Sequence, residues 1–353
     1  MTRSEQILKL IVEHFIKTAQ PVGSHTLLEE YHLDCSSATI RNEMNALEKE
    51  GYLEKPHTSS GRVPSPKGYK YYCEKLRGDR IDDTVKFALA GVLEKKAQSV
   101  EEVIKQSCTI LADMTNLASV VLGPKVMEEH LVSIQIIPLS PTSATAVFVT
   151  DQGYVENKTF LIDGKTSLDE VVKTVALLNE RLKGTPIVDL VEKMEAMKPA
   201  LTDYVVGQDV IYQALLEAFL KFAEERMNLY GKDNLLDQPE FAEDAKKLRK
   251  LLGLIDDPKA FRQAMEEETS PDSRISVHIG EGDNEDVAIV SAKVNIPGGK
   301  NASISLLGPT RMDYEKAIAT LDYVSKTLDE FFAEEADKDN AEWKNETSNS
   351  KPN

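Results

Sequence analysis

The most constraining feature of the sequence is residues 36–63, where a helical pattern runs directly into a strand–turn–strand pattern. The run SATIRNEMNALEKEG places Ile40, Met44 and Leu47 on one side of a helix that Gly51 would end. GYLEKP and GRV then predict two short antiparallel strands, with HTSS as the tip between them. One side of this helix must be buried, so its other side and the hairpin are left to contact another molecule.

Two more helical segments come before this one. SEQILKLIVEHFIKTA has the spacing of a one-sided helix with Ser4 as its N-cap, and QPVG breaks it. Ser24 can cap a short second helix, and Ser36 or Ser37 can cap the third. Three short helices followed by a two-stranded ribbon are the layout of a winged helix-turn-helix, whose third helix enters the major groove of DNA.

The outward side of the third helix carries residue types that read bases. Arginine can pair with guanine and asparagine with adenine, each good pair giving about 1–3 kcal/mol of discrimination. Hydroxyl and basic groups on the ribbon suit phosphates, and Gly61 would permit close backbone approach. A plain three-helix core with a solvated polar face accounts for the helices as well; the ribbon favours DNA. The predicted DNA-binding residues are Ser37, Thr39, Arg41, Asn42 and Asn45 in the groove, with His57, Ser59, Arg62 and Lys67 on the ribbon and backbone.

Charge is distributed unevenly along the chain. The 353 residues carry a net charge of −17, yet residues 1–80 carry +1 and the remainder −18. The stretch HTSSGRVPSPKGYKYY holds three basic residues and no acid. A near-neutral segment ahead of an acidic body is compatible with a polyanion-binding module.

A fourth helix follows the ribbon. Ser65 and Pro66 have the residue types of an N-cap and first helical position. Helical spacing turns Tyr69, Tyr72 and the residues Cys73 and Leu76 inward, with lysines outside. Stacking of the tyrosines on single-stranded bases is the alternative, and the spacing favours packing.

The rest of the chain mixes strands and helices, so the fold class is α+β. HLVSIQIIPLS, SATAVFVTD and GYVENKTFLI predict a three-stranded antiparallel meander, and three helices follow it to about residue 226. Three further strands and a long closing helix lie in residues 274–332. Periodicity alone leaves open whether this is one large domain or a domain interrupted by another.

The segments PVGSHTL, SSATIRNEMNALEKEGYLEKPHTSSGRVPSPKGYKYY and GPTRMDY (residues 308–314) resemble the bacterial heat-inducible transcription repressor family, HrcA. The resemblance is most specific in residues 21–72 and weaker in the middle of the chain. It implies a multidomain protein with a winged helix-turn-helix, a GAF-like domain and an inserted dimerisation domain of three strands plus helices. The tail is polar and acidic with no apolar period, so its composition predicts disorder. The corresponding ranges are 1–80, then 90–127 with 227–335, then 128–226, and 336–353.

The resemblance also implies partners: an inverted-repeat operator in double-stranded DNA, a second copy of the chain, and the GroEL chaperonin, which would help to keep the repressor active. A homodimer also has a physical reason, since two-fold dimers read inverted repeats. Apolar residues in 208–222 could form its interface or could be intradomain core: Val210, Ile211, Leu215 and Phe219.

No pattern indicates an enzyme. The phosphate-binding GxxxxGK[ST], HExxH, CxxC and GxSxG motifs are absent. His25, His32 and Cys35 lie close together but lack a clear fourth ligand, so we expect surface residues rather than a metal site. GPTRMDY could border a ligand pocket, but a structural junction is favoured. We therefore expect no metal and no cofactor.

Three widely spaced cysteines and the lack of a signal peptide at the N-terminus predict a reducing, cytoplasmic setting. No apolar run is long enough to cross a bilayer, so we expect no membrane partner. The resulting hypothesis is a dimeric repressor of chaperone operons. A repressor gated by a small molecule in the GAF-like domain is the alternative.

These assignments give a first prediction. Arg41→Ala should lose discrimination of operator over scrambled duplex, because a base contact is removed. Arg62→Ala should weaken binding to both duplexes and flatten the salt dependence, because a phosphate contact is removed. Titrations of both duplexes at several salt concentrations check this. Parent-like binding by both variants would contradict the site assignment.

Overall fold

The structure, a computed structural model, describes residues 1–56, 61–95, 99–123, 129–151, 153–162, 167–202, 208–222, 227–266, 274–280, 285–296 and 300–349. It is a mixed helix-and-sheet fold with several antiparallel strand pairs, consistent with the predicted α+β class. The chain divides into two compact units. The first comprises Met1–Leu122, Met227–Pro297 and Ala302–Asn353, and the second comprises Gly123–Arg226 and Gly298–Asn301. A further boundary at residue 80, and the GAF-like and dimerisation identities, stay predictions.

Three helices and a two-stranded ribbon open the first unit, followed by a helix that ends in a π-helical turn. One buried side of each helix enters a common core that includes Ile7, Leu27 and Ile40. The elements are α1 (Arg3–Thr18), α2 (Ser24–Tyr31), α3 (Ser37–Lys49), β1 (Leu53–Glu54), β2 (Val63–Pro64), α4 (Pro66–Tyr71) and the π-helical Tyr72–Leu76.

Two of the predicted helix caps are wrong. Thr2 caps α1 in a capping box with Glu5, whereas Ser4 Oγ donates to the Glu43 carboxylate on α3. Gly23 is the N-cap of α2 and gives no side-chain cap. Ser24 is instead the first residue of the helix, and its hydroxyl lies 3.1 Å from Ser37 Oγ on α3. The prediction for α3 is confirmed with Ser36, whose Oγ accepts from the Thr39 backbone N–H at 3.1 Å.

The ribbon (β1 and β2) is antiparallel, with Leu53 opposite Pro64 and Glu54 opposite Val63. Its return strand also pairs with the connection between α1 and α2. Val22 N donates to Arg62 O at 2.8 Å, and Arg62 N donates to Val22 O at 2.9 Å. The ribbon is therefore fixed to the helices by backbone hydrogen bonds next to Arg62.

The junction after the ribbon confirms the predicted start of α4. Ser65 caps the helix, because its Oγ accepts from Gly68 N at 3.0 Å, and it donates to Gly51 O at 2.6 Å. A Cβ at Gly68 would collide with the Tyr52 carbonyl oxygen, so only glycine fits. Tyr69 and Tyr72 are buried, which confirms packing rather than base stacking for these two.

A five-stranded sheet forms the centre of the first unit, in the order β7–β3–β10–β9–β8. One face packs on α6, α14 and the core of the N-terminal helices, and the other packs on α10–α13. The strands are β3 (Ala118–Leu122), β7 (Met227–Tyr230), β8 (Ile275–Ile279), β9 (Val287–Ile296) and β10 (Lys300–Pro309), and the helices are α5 (Asp83–Leu93), α6 (Val100–Thr115), α10 (Lys232–Leu236), α11 (Pro239–Ala242), α12 (Ala245–Asp256), α13 (Pro258–Glu266) and α14 (Tyr314–Asn349).

The second unit contains the predicted meander, a three-stranded antiparallel sheet in the order β4–β5–β6. Its helices cover one face and bury Phe148 against Phe219. The elements are β4 (Leu131–Ser140), β5 (Ser143–Thr150), β6 (Val155–Leu161), α7 (Leu168–Leu182), a 3-10 turn at Ile187–Asp189, α8 (Leu190–Thr202) and α9 (Gln208–Phe222).

Of the four apolar residues considered for a dimer interface, Leu215 and Phe219 are fully buried in the core of the second unit. The intradomain alternative is therefore correct for these two residues. The side chains of Val210 and Ile211 lie outside the described part of the structure.

The tail prediction is also corrected. The sequence predicted disorder over 336–353, but α14 continues to Asn349. The segment lacks an apolar period, so the sequence pattern did not indicate this continuation of the helix. Residues 350–353 lie outside the described range.

GPTRMDY joins the N-terminal helices to the sheet, which supports the predicted structural junction. Tyr314 is fully buried, 5.4 Å from the Tyr69 ring, and its hydroxyl donates to Thr310 O at 2.6 Å. Arg311 donates to Ile16 O near the end of α1 at 3.1 Å and pairs with Glu240 on α11. Arg311 thus links a carbonyl in the last turn of α1 to α11, which lies on the other face of the sheet.

Arg311→Ala should lower the free energy of unfolding by about 2 kcal/mol, because Glu240 loses its partner in a partly buried site and Ile16 O loses a donor. Urea unfolding followed by circular dichroism measures this. Lys326→Ala is the control, since it breaks only an exposed pair with Asp322 on α14 and should cost about 0.5 kcal/mol or less. Equal losses of unfolding free energy in the two variants would contradict the role of Arg311 at this junction.

Candidate nucleic-acid interface

The direction of α3 is set by its buried side. Ile40, Met44 and Leu47 point into the core, as predicted, and the Ser36 cap fixes the first turn. The opposite side of the helix therefore faces solvent along its first two turns. This exposed side lies beside the ribbon, which follows α3 after Gly51.

Three of the predicted base-reading residues share this outward side. Arg41 and Asn42 are exposed, and Asn45 is partly exposed. Asn45 lies four residues after Arg41 and three after Asn42, so the three side chains are neighbours on the helix surface. They form a cluster of hydrogen-bonding groups that can reach a common partner.

Ser37 and Thr39 have local roles at the start of the helix. Ser37 Oγ lies 3.1 Å from Ser24 Oγ, which ties α3 to α2. Thr39 Oγ1 lies 2.9 Å from Ser36 Oγ, at the N-cap. Both side chains are partly exposed, and both hydroxyls already have a partner in the chain.

On the ribbon, His57 and Ser59 lie outside the described residues. Gly61 is buried, and its close backbone approach is to Pro21 of the same chain: a Cβ there would lie 2.8 Å from the Pro21 carbonyl carbon. The expectation that Gly61 opens the backbone to a phosphate is therefore replaced by a packing role.

Arg62 is held inside the N-terminal region. Its side chain is 12% exposed and is hydrogen-bonded to two residues of α3, Glu48 and Asn45. It therefore does not project from the ribbon in the way a phosphate-binding arginine does.

Lys67 is exposed but also has partners. Its Nζ donates to Glu50 O at 2.7 Å and lies 4.3 Å from the centre of the Tyr52 ring. A cation at the last carbonyls of α3 is favourable, because the carboxyl end of a helix carries partial negative charge.

Sequence reasoning missed two residues here. Glu48 neutralises Arg62, and its position three residues after Asn45 was the available signal, since that spacing places both on one side of α3. Lys55 is exposed directly after β1, and its charge next to the ribbon tip could have been noted.

The buried titratable groups do not suggest catalysis. All three cysteines are free, and burial raises the pKa of the Cys73 and Cys108 thiols to about 12, so both stay protonated at neutral pH. Among the described residues, no group of three or more His, Cys, Asp or Glu side chains is placed to hold a metal ion. Within the same residues, no helix combines the length and apolarity needed to cross a bilayer.

Comparison with known proteins identifies close relatives. The family model described as HrcA protein C-terminal domain matches residues 101–318. The heat-inducible transcription repressor HrcA of Halalkalibacterium halodurans is 38% identical over 328 residues, covering 91% of this chain and 94% of the relative. The repressor of the same name from Listeria monocytogenes is 36% identical, again over 91% and 94%.

One solved structure has the same fold over most of its length. It is described as a hypothetical protein at 2.2 Å resolution, and the match has a TM-score of 0.59 at 24% identity, covering 94% of this chain and 98% of that chain. At this identity, the match supports the fold alone.

Proposed function

The chain belongs to the HrcA family of heat-inducible transcription repressors, and on that premise we propose that it binds an inverted-repeat operator upstream of chaperone genes as a homodimer and blocks their transcription. Its family is one of transcription repressors, not of enzymes. The observation that carries the proposal is the outward cluster of Arg41, Asn42 and Asn45 on α3, beside the ribbon.

In this proposal residues 1–80 are a winged helix-turn-helix. The order of α1, α2, α3 and the ribbon matches that motif, and the contact between Ser24 and Ser37 joins the start of α2 to the start of α3. Such a motif places the second helix of the pair in the major groove. Arg41 and the two asparagines would then contact base edges, and Lys67, Lys55 and the ribbon tip would lie near phosphates.

The remainder of the first unit would be the GAF-like domain, and the second unit would be the inserted dimerisation domain. The inserted segment leaves the first unit after β3 and returns at β7, which pairs directly with β3. The sheet of the first unit is therefore continuous across the insertion, as an interrupted domain requires.

The outward face of the β4–β5–β6 sheet is a suitable dimer surface. Cross-strand pairing aligns Val149 with Val155 and Ser143 with Leu161 on this face, and Leu161 is 73% exposed. None of the described side chains on this face is charged: Ser133, Gln135, Ile137, Ser143, Thr145, Val147, Val149, Val155, Asn157, Thr159 and Leu161.

The occupant that fits this face is a second copy of the chain. A protein of net charge −17 repels its own copies, and an uncharged, β-branched face is where two copies can meet with the least repulsion. A two-fold interface uses the same patch on both subunits, so the patch must tolerate itself.

Val155→Glu should weaken the dimer by roughly tenfold or more, because two-fold symmetry brings two uncompensated carboxylates into one interface. Sedimentation equilibrium measures the dimer dissociation constant. Val172→Glu is the matched control, since Val172 is an exposed valine on α7 away from this face. A monomeric parent, or equal effects of both substitutions, would contradict the proposed surface.

We further propose that the protein acts in the cytoplasm and that a GroEL-type chaperonin supports its activity, as the family resemblance implies. Dependence on a chaperone is expected of a regulator of marginal stability. Unfolded proteins that occupy the chaperonin after heat shock would then reduce the active repressor and release the genes.

Gel-shift titration tests the function. The parent should bind an inverted-repeat duplex from a chaperone-operon promoter at least about 10³-fold more tightly than scrambled duplex, and a single half-site should bind much more weakly than the repeat. Added chaperonin and ATP should increase the active fraction, whereas metabolites should have no effect. Equal binding to repeat and scrambled duplex would contradict the proposal.

A further inference from the structure

Arg62 occupies an unusual place for a basic residue beside a DNA-binding surface. Its Nε donates to Glu48 Oε2 at 2.7 Å, and its Nη2 lies 2.7 Å from the same oxygen. Nη2 also donates to Asn45 Oδ1 at 3.0 Å, and Nη1 donates to Gly61 O at 3.3 Å. The guanidinium is therefore satisfied on several sides by the chain itself.

Its charge is neutralised within the N-terminal region. Glu48 supplies a carboxylate on the same side of α3 as Asn45, and the fork geometry of arginine holds both residues at once. A phosphate would have to displace the Glu48 carboxylate to use this charge. Arg62 thus fixes the ribbon to α3 and adds little net positive charge at its surface.

The contact also determines the orientation of the Asn45 amide. A guanidinium has only hydrogen-bond donors, so the amide atom that faces Arg62 must be the oxygen. The amide nitrogen, on the other side of Cγ, is then directed away from Arg62. Asn45 is partly exposed beside Arg41, so its N–H groups are the part available to a partner.

We propose that Arg62 is a specificity-determining positioning residue that acts through Asn45 and is not a phosphate contact. With Oδ1 held by Arg62, Asn45 presents donors to the major groove. Both purines offer an acceptor at N7. To select adenine over guanine, the amide must also accept a hydrogen bond from the adenine N6 amino group through Oδ1. Asn45 therefore does not select adenine: its donors fit the acceptors of guanine at least as well as N7 of adenine, can also reach O4 of thymine, and disfavour cytosine, whose groove-facing group is a donor.

This inference rests on the proposed function and replaces the sequence-based expectation for Arg62. The two roles predict opposite results. A phosphate contact strengthens binding to every sequence. It also adds about one to the magnitude of the salt slope, the slope of log affinity against log salt concentration. A positioning residue changes the base preference at one position and leaves the salt slope unchanged.

The test measures binding of the parent, Arg62→Met, Asn45→Ala and the Arg62→Met/Asn45→Ala double variant to every single-base-pair variant of the operator half-site. Arg62→Met should favour adenine over guanine by roughly tenfold at the position where Asn45→Ala loses its preference, because the freed Oδ1 can pair with N6. The double variant should have the base preference of Asn45→Ala, since Arg62 acts through Asn45.

Arg41→Met is the matched control, because Arg41 is an exposed arginine on the same side of α3. It should change the preference at a different base pair. If circular dichroism shows that Arg62→Met does not fold, Arg62→Lys takes its place. It keeps the charge and most of the side chain, but one ammonium group cannot reproduce the fork, so the same shift is expected.

Uniform weakening on all sequences with a salt slope lowered by about one would show a phosphate contact and overturn the inference. An unchanged preference in the Arg62 variants, or a change at another base pair, would overturn it too. If the parent selects the operator but the Arg62 variants do not show the expected shift in base preference, this inference alone is contradicted. A parent that does not distinguish the operator from scrambled duplex contradicts the proposed function as well.

Discussion

The N-terminal region depends on the contacts of Arg62, whose guanidinium lies between Glu48 and Asn45 of α3. Its side chain links the ribbon to α3, and its backbone pairs with Val22 between α1 and α2. One residue therefore joins three parts of the chain that are separate in sequence. The ribbon itself contributes only two residues to each strand, which is too short for an independently stable hairpin. The side chain of Arg62 and its backbone pairing with Val22 together hold the ribbon beside the outward side of α3.

The same region is joined to the central sheet by packing and by polar contacts. Residues of α1, α3 and α4 share one hydrophobic core with α14 and one face of the sheet. Tyr69 against Tyr314 and Arg311 against Ile16 O lie at this junction. The sheet and α14 are thus in direct contact with the helices that pack around α3, so a movement of either can shift α3. This gives a physical route by which the state of the body could affect DNA binding.

The helical periodicity and the order of the strands were enough to predict most elements, including the burial of Ile40, Tyr69 and Tyr72. Choices between neighbouring hydroxyl residues were less predictable: Ser4 and Ser24 have the right residue type for a cap, but tertiary hydrogen bonds to α3 use their side chains. Arg62 shows the same limit at the site, because a basic residue near a ribbon tip has the same sequence pattern whether it binds a phosphate or a carboxylate of its own chain. Residues 336–349 of α14 have no apolar pattern, so periodicity could not predict that the helix continues to Asn349.

The central claim is that α3 and the ribbon present one DNA-reading surface per chain, and that two chains act together. Hydroxyl-radical footprinting of the purified protein across a chaperone-operon promoter tests it most directly. The account predicts two protected half-sites related by inverted symmetry, with centres one helical turn or a multiple of it apart, about 10 base pairs per turn. Protection of a single half-site, or the absence of any protected repeat, would contradict it.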